Sequence, residues 1–356
     1  MPRKPDATLG APVALFVHRR TAFLPGILER ISAARPPRVF VFADAPKDGT
    51  SDAKNCAAVL ALIEDWACPC PVEISVAPQN LGNSERLRSG IDAVFAETDR
   101  AIFVEDDVEL SPSFFPFCDA LLERYDDTPE VMMISGLNPL DVWPEAPDAA
   151  GYHFSSLGHA QAWASWRRAW ARTEGALMRW QLDGASSRLA AALRDEEIAE
   201  ERRGLYDAVT AGRISSWDYE WALARQLDHG LCAVPARNLA LHRGNDPGAT
   251  HVRRSALLYR LGRLHEHTLP DAPPPALEAD RRFDRIVFEL GHDRVSASSA
   301  RHLAGRLIDD GRRLLAVALL RHAMADGGAD PETVRMIHAA LKSAGASAGI
   351  GGTEQG

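Results

Sequence analysis

The chain has 356 residues, 46% of them hydrophobic and 25% charged, with a formal net charge of −9. Those shares suit a folded globular protein with ample core and exclude collagen-like and disordered classes. The acidic balance argues against a nucleic-acid polymer as partner, because phosphate-backbone binding needs clustered Lys and Arg.

No apolar run approaches the roughly 20 residues of a membrane helix, and Ala11 to Val17 is too short and strand-like for a secretory core. No transmembrane segment and a cytoplasmic location are therefore expected. Five cysteines, Cys56, Cys68, Cys70, Cys118 and Cys232, form an odd set. Cys68-Pro-Cys70 lacks the spacing of zinc or redox CxxC motifs, so reduced thiols are expected.

Pro12 to Val17 reads as a strand, followed by a helix from Ala22 to Ala34 in which Phe23, Ile27 and Ile31 recur every four residues. The unit repeats: strand Arg38 to Ala43 with helix Asp52 to Ala67, then strand Val72 to Ala77 with helix Ser84 to Glu97. A fourth strand, Ala101 to Val104, precedes a helix from Pro112 to Tyr125 that Ser111 is expected to cap. Glu130 to Ser135 is a fifth strand candidate. Strands alternating with helices predict an α/β fold with a mainly parallel sheet covered on both faces. Ligands of such sheets bind beyond the carboxyl ends of the strands.

After Gly136 the alternation stops, and tryptophan becomes frequent: Trp143, Trp163, Trp166, Trp170, Trp180, Trp217 and Trp221. Asp271-Ala-Pro-Pro-Pro-Ala276 reads as part of a linker. Leu303 to Ala325 around Gly311 reads as a helical hairpin, and the Gly/Ser/Ala-rich end as a disordered tail. The expected organisation is a main domain over 10–252, a linker over 253–276, a helical region over 277–345 and a tail over 346–356.

Glu105-Asp106-Asp107 lies at the carboxyl end of the fourth predicted strand. Three adjacent carboxylates repel one another unless they are solvated or bound to a cation, and oxygen ligands suit Mg²⁺ or Mn²⁺ bridged to substrate phosphates. Taken alone, the triplet reads first as an acidic turn in water.

The segment Val104-Glu-Asp-Asp-Val-Glu-Leu-Ser-Pro-Ser-Phe-Phe115 resembles the DxD-type metal segment of the Golgi N-acetylglucosaminyltransferase that initiates complex N-glycans, and of similar bacterial glycosyltransferases. A second block also resembles the bacterial members: Ser216-Trp-Asp-Tyr-Glu-Trp221, then Gly230 to Pro235, Asn238-Leu239 and Ala249-Thr-His251. The resemblance runs from Pro12 to His251. It implies a GT-A, Rossmann-like fold and a metal-dependent inverting transferase using Mn²⁺ or Mg²⁺. The implied donor is a nucleotide-sugar, with a UDP-sugar as first guess, and the acceptor a glycan or other hydroxyl compound. A catalytically silent GT-A-like protein that binds a glycan or a partner is the alternative.

Residue by residue, the resemblance implies Asp107 as metal ligand, Glu105 and Asp106 near the donor's ribose and sugar, Arg19 against the nucleotide, and Asp44 against the base. Asp218 is implied as the general base that takes the acceptor hydroxyl's proton, although an acid in a helix's first turn also suits the helix dipole alone. Asn80 opens the third predicted helix, whose N–H groups, with Arg86 or Arg88, are candidates for phosphate. Trp217 is a candidate apolar platform for a sugar ring. Gly158 to Trp170, which carries Trp163, resembles an acceptor-side segment but has Ala160-Gln161-Ala162 where an aromatic and a glycine are expected. His251 is a candidate second metal ligand or phosphate contact.

Overall fold

Val13, Leu15 and Val17 alternate with Ala14 and Phe16 along the first strand, and all five are buried, so both faces of the sheet need a cover. The computed structural model describes residues 8–49, 52–143, 151–243, 261–268, 273–274, 276–327 and 330–349. The elements open with β1 (Val13–Val17), α1 (Leu24–Ala34), β2 (Val39–Ala43), α2 (Asp52–Glu64), β3 (Val72–Val76) and α3 (Gly82–Glu97). They continue with β4 (Arg100–Glu105), β5 (Val108–Leu110), α4 (Phe114–Arg124), β6 (Val131–Ser135), β7 (Tyr152–Ser155) and β8 (Ala162–Trp166). Next come α5 (Arg167–Trp170), α6 (Ala176–Trp180), α7 (Ala185–Leu193), α8 (Glu196–Thr210), α9 (Trp217–Leu227), β9 (Leu231–Pro235) and β10 (Ala240–His242). The last helices are α10 (Arg281–Gly291), α11 (Ala297–Asp309), α12 (Arg313–Gly327) and α13 (Pro331–Gly349).

The main sheet has the order β3-β2-β1-β4-β8-β6-β9-β7. Strands β3, β2, β1 and β4 are mutually parallel, β8 runs antiparallel between β4 and β6, β9 is parallel to β6, and β7 is antiparallel to β9. This is the expected mixed α/β arrangement with a mainly parallel sheet. One face packs on α1, α2 and α4 through Ile27, Ile31, Val59, Ile63, Phe117 and Leu121. The opposite face carries Phe16, Phe42, Phe103 and Trp163 under α3 and α9. Gly90 of α3 has no Cβ because Phe16 and Phe42 occupy the place where one would stand.

The ribbon β5–β10 was not legible in the alternation, and it displaces the start of α4. Ser111 N donates to Leu239 O, 2.9 Å away, extending that ribbon, and the helix begins at Phe114 with Ser113 in the cap position. The Ser111 hydroxyl accepts from Ser113 N and donates to His265 O. Ser111 is therefore a junction between ribbon and helix rather than the cap expected from Ser-Pro.

The chain divides into two compact units, the first of which includes Leu261–Asp284 beyond the sheet. Arg263 N donates to Asp141 Oδ1 at 2.8 Å, and Asn238 Nδ2 donates to Arg263 O at 3.0 Å. Trp143 Nε1 donates to Asp280 Oδ2, and Ser156 N to Asp284 Oδ2. In the second unit α11, capped by the Ser296 hydroxyl, packs on α12 across Gly311, and α12 packs on α13. Leu303, Leu319 and Leu320 form its core. No described helix is long and apolar enough to cross a membrane.

Burial pushes the Asp284 carboxyl up to about 6, against the opposing pull of hydrogen bonds from Ser155 and Ser156. The folded state then holds a proton that the unfolded chain releases near pH 4, so stability falls as pH rises from about 4 to about 6. Asp284→Asn should remove this contribution. Urea titrations are expected to show wild type losing about 2–3 kcal/mol relative to the variant between about pH 4 and pH 7; a pH-independent difference would contradict the assignment.

Candidate functional site

Strand β4 lies parallel to β1 with Glu105 opposite Phe16, so the acids that follow β4 emerge beside His18 and Arg20, which follow β1. His18 N donates to Asp106 Oδ2 at 2.9 Å. Arg20 Nη1 lies 3.0 Å from Asp107 Oδ2 and 3.8 Å from Asp106 Oδ1. From the other side, the antiparallel pairing of β5 with β10 sets His242 opposite Val108. That register brings His242 Nε2 to 3.3 Å from Asp107 Oδ2, while Arg243 N donates to the Asp107 carbonyl at 2.7 Å.

Asp106 and Asp107 are buried, and Asp107 Oδ1 is a buried oxygen with no hydrogen-bond partner among the described residues. Burial and the neighbouring Asp107 push the Asp106 carboxyl up to about 6, with the His18 amide and Arg20 opposing. Glu105 is half-buried as a residue, but its carboxyl sits in the dense part of the site. Burial, then Asp107, Asp106 and Asp218, raise it well above the usual carboxylate range.

Among the described residues no group of three or more His, Cys, Asp or Glu side chains forms a ready-made metal cage. The donor set fits a hard divalent cation in a different way. Mg²⁺ and Mn²⁺ rest on one or two carboxylates and complete their shell with water and phosphate oxygens, and the unpartnered Asp107 Oδ1 is such a carboxylate oxygen. His251 lies outside the described residues.

Helix α9 carries Asp218 to the same place. Ser216 stands at its start in extended conformation, but its hydroxyl makes no cap to the backbone and donates to Asp218 Oδ1 instead. Trp217 and Trp221 face inward, with Trp217 stacked on Trp163 at 5.7 Å between ring centres, and Trp163 stacked on Phe103 at 4.6 Å. Arg88 of α3 pairs with Glu220 on the outer side of the same helix. Thus held, half-buried Asp218 is close enough to Glu105 to raise that carboxyl.

Several residues expected to touch ligand make contacts within the protein. Asp44 accepts four hydrogen bonds, from Ala45 N, Leu81 N, Asn80 Nδ2 and Gly82 N, which occupies a carboxylate's ordinary capacity and corrects its reading as a base contact. Asn80 gives its amide to Asp44 and to Ala45 O, so this pair builds the turn into α3, where Gly82 adopts φ +76°. Arg86 is buried, hydrogen-bonded to Ser75 and stacked 5.2 Å over Phe42, which ties α3 to β3 and turns it away from any phosphate. Arg88 is committed to Glu220, and Arg19 lies 2.9 Å from Asp52 of α2. Trp163 and Trp217 are 1% and 4% exposed. Neither indole offers a face to a sugar, which corrects their reading as acceptor platforms.

Arg20 and His242 are the residues of the site that sequence reasoning missed. Arg20 was in view as the neighbour of Arg19. The signal for His242 was faint, a three-residue strand just before the turn-rich stretch that ends at His251.

No family model matches the sequence, and no curated protein does. Among solved structures the chain is similar to HddC from Yersinia pseudotuberculosis at 12% identity, over 44% of this chain and 77% of that one, with a TM-score of 0.30. It is also similar to the mannosyltransferase PcManGT from Pyrobaculum calidifontis in complex with GDP-Man and Mn²⁺ at 15% identity, over 98% of this chain and 83% of that one, with a TM-score of 0.33. Kinship with the Golgi N-acetylglucosaminyltransferase has no support among these matches. The chemistry of the site is read from its own residues.

The role of Trp163 can be measured directly. Trp163→Ala should destabilise the fold by about 3–5 kcal/mol, as expected when a large buried aromatic is removed. A change within about 0.5 kcal/mol in urea unfolding would return Trp163 to the surface and to a binding role.

Proposed function

We propose that this protein is a metal-dependent glycosyltransferase of GT-A type that moves a sugar from a nucleotide-sugar donor to a hydroxyl acceptor with inversion at the anomeric carbon. Support comes above all from the unpartnered Asp107 Oδ1, held at the carboxyl end of a central parallel strand with Arg20 and His242 alongside. Asp107 would be the first protein ligand of a divalent cation there, with His242 the described histidine at hand to join it, and the bound ion would supply charge neutralisation for a departing diphosphate.

The other side chains divide the remaining work. Arg20, at the rim of the acids, meets the donor's phosphates and limits their repulsion with Asp106 and Asp107. Glu105, whose carboxyl is raised well above the usual range by burial and by the neighbouring acids, lies beside Asp107 where a donor hydroxyl would meet it. Asp218 accepts the proton of the attacking acceptor hydroxyl, and the Ser216 hydroxyl fixes the orientation of that carboxylate. Direct attack needs no covalent sugar–enzyme intermediate, so an α-linked donor gives a β-linked product. A UDP-sugar as donor, a glycan as acceptor and a cytoplasmic location belong to this same proposal.

Two measurements check it. A thermal-shift panel of UDP-, GDP- and dTDP-sugars should give a Mn²⁺-dependent rise for one nucleotide class, since saturating ligand at about a hundred times Kd stabilises the native state by about 2.7 kcal/mol. No shift with any donor would contradict the reading. In single-turnover assays Asp218→Asn should retain donor affinity while transfer falls by roughly 10²–10⁴. Normal transfer by the variant, or an α-linked product from an α-linked donor, would remove Asp218 from the role of base.

A further inference from the structure

Cys68 and Cys70 stand apart from the acidic site, in the loop between α2 and the edge strand β3. All five cysteines are free thiols in this structure, and Cys56, Cys118 and Cys232 are buried. Cys68 and Cys70 are the half-buried ones, and their Sγ atoms lie 2.8 Å apart. That separation is less than 1 Å beyond the length of a disulfide bond, about 2.05 Å.

The backbone accounts for the approach. Pro69 fixes its own φ, the chain bends at Pro69 and Cys70, and Cys68 N donates to Trp66 O at 2.9 Å. Trp66 is in turn fixed by its Nε1 donation to the Ser32 hydroxyl at 2.8 Å. Both sulfurs pack on the edge of the main hydrophobic cluster, so the pair is held together rather than free to diverge in solvent.

We propose that Cys68 and Cys70 form a redox-active dithiol that closes to a reversible disulfide by exchange with a low-molecular-weight disulfide such as glutathione disulfide. The Cys68 thiolate attacks one sulfur of glutathione disulfide, an S–S bond breaks, and one glutathione leaves as thiolate. Cys70 then loses its proton to solvent and attacks the Cys68 sulfur of the mixed disulfide, expelling the second glutathione. Two electrons pass from the protein's sulfurs to the small disulfide, which is reduced to two glutathione thiols. In this sequence of steps Cys70 is the resolving thiol; burial and the contact with Cys68 push it up to about 12 in the reduced pair. A ring that encloses a single intervening residue removes little chain entropy, so this disulfide does not act as a structural staple.

The experiment uses the full chain, reduced and freed of reductant, exposed to glutathione disulfide, quenched with acid and analysed by intact and peptide mass spectrometry. Wild type should lose about 2 Da, the two thiol hydrogens, with both cysteines in one intrachain link that dithiothreitol reopens. Cys70→Ser should instead retain a glutathione adduct on Cys68, because no second thiol resolves it. A wild-type chain that stays at the reduced mass, or that accumulates glutathione adducts without closing, overturns the proposal. Neither result depends on the transferase reading.

Discussion

Like charges in a confined space govern this molecule: Glu105, Asp106 and Asp107 leave β4 in succession, and the last two are buried. Carboxylates taken out of water next to one another are costly unless they are paired, hydrogen-bonded or protonated. The fold pairs and hydrogen-bonds them. The end of β1 supplies the His18 amide and the Arg20 guanidinium, β10 supplies His242, and burial beside the other acids raises the Glu105 carboxyl well above its usual range. The partners from the end of β1 and from β10 lie more than 200 residues apart in the sequence, and the parallel register of β1 on β4 and the antiparallel register of β10 on β5 are what bring them together. Of the acids at this point, Asp107 Oδ1 is a buried oxygen left without a hydrogen-bond partner among the described residues.

The second constraint is mechanical. In the proposed reading Asp218 is a base, which is useful only at a fixed distance from the group that it serves, and α9 fixes it by burying the residues around it. Trp217 and Trp221 lock the helix into the aromatic layer with Trp163 and Trp170, and Arg88 with Glu220 holds its outer side to α3. The tryptophans thus hold α9 in place by packing. Asp44, Asn80 and Arg86 do the same for the turn into α3 and its seat on β3. Polar side chains at a strand's end have unsatisfied backbone groups close at hand, and here they bind those groups first.

The strand–helix alternation from β1 to β6 was legible because β1, β2, β4 and β6 are mostly apolar on both faces and each helix repeats its buried positions every three or four residues. The acids were legible for the same reason, since their place at a strand's carboxyl end follows from the alternation. Strands β5 and β10, at three residues each, are too short to carry a period. Strand β8 hides in an aromatic run that continues straight into α5. His242 reaches Asp107 through just those elements, so no local pattern pointed to it. Arg19 and Arg20 are adjacent and chemically identical; only tertiary pairing assigns one to Asp52 and the other to the acids.

Cation binding at Asp107 is the claim on which the rest of the account stands. The most direct measurement is a Mn²⁺ titration followed by the electron paramagnetic resonance signal of the free ion, with UDP or GDP present. Wild type should remove one Mn²⁺ per chain from solution. Asp107→Ala, verified as folded by circular dichroism, should leave the free-ion signal at its protein-free level, and His242→Ala should weaken binding by about 10–100-fold. Undiminished Mn²⁺ uptake by Asp107→Ala would contradict the account.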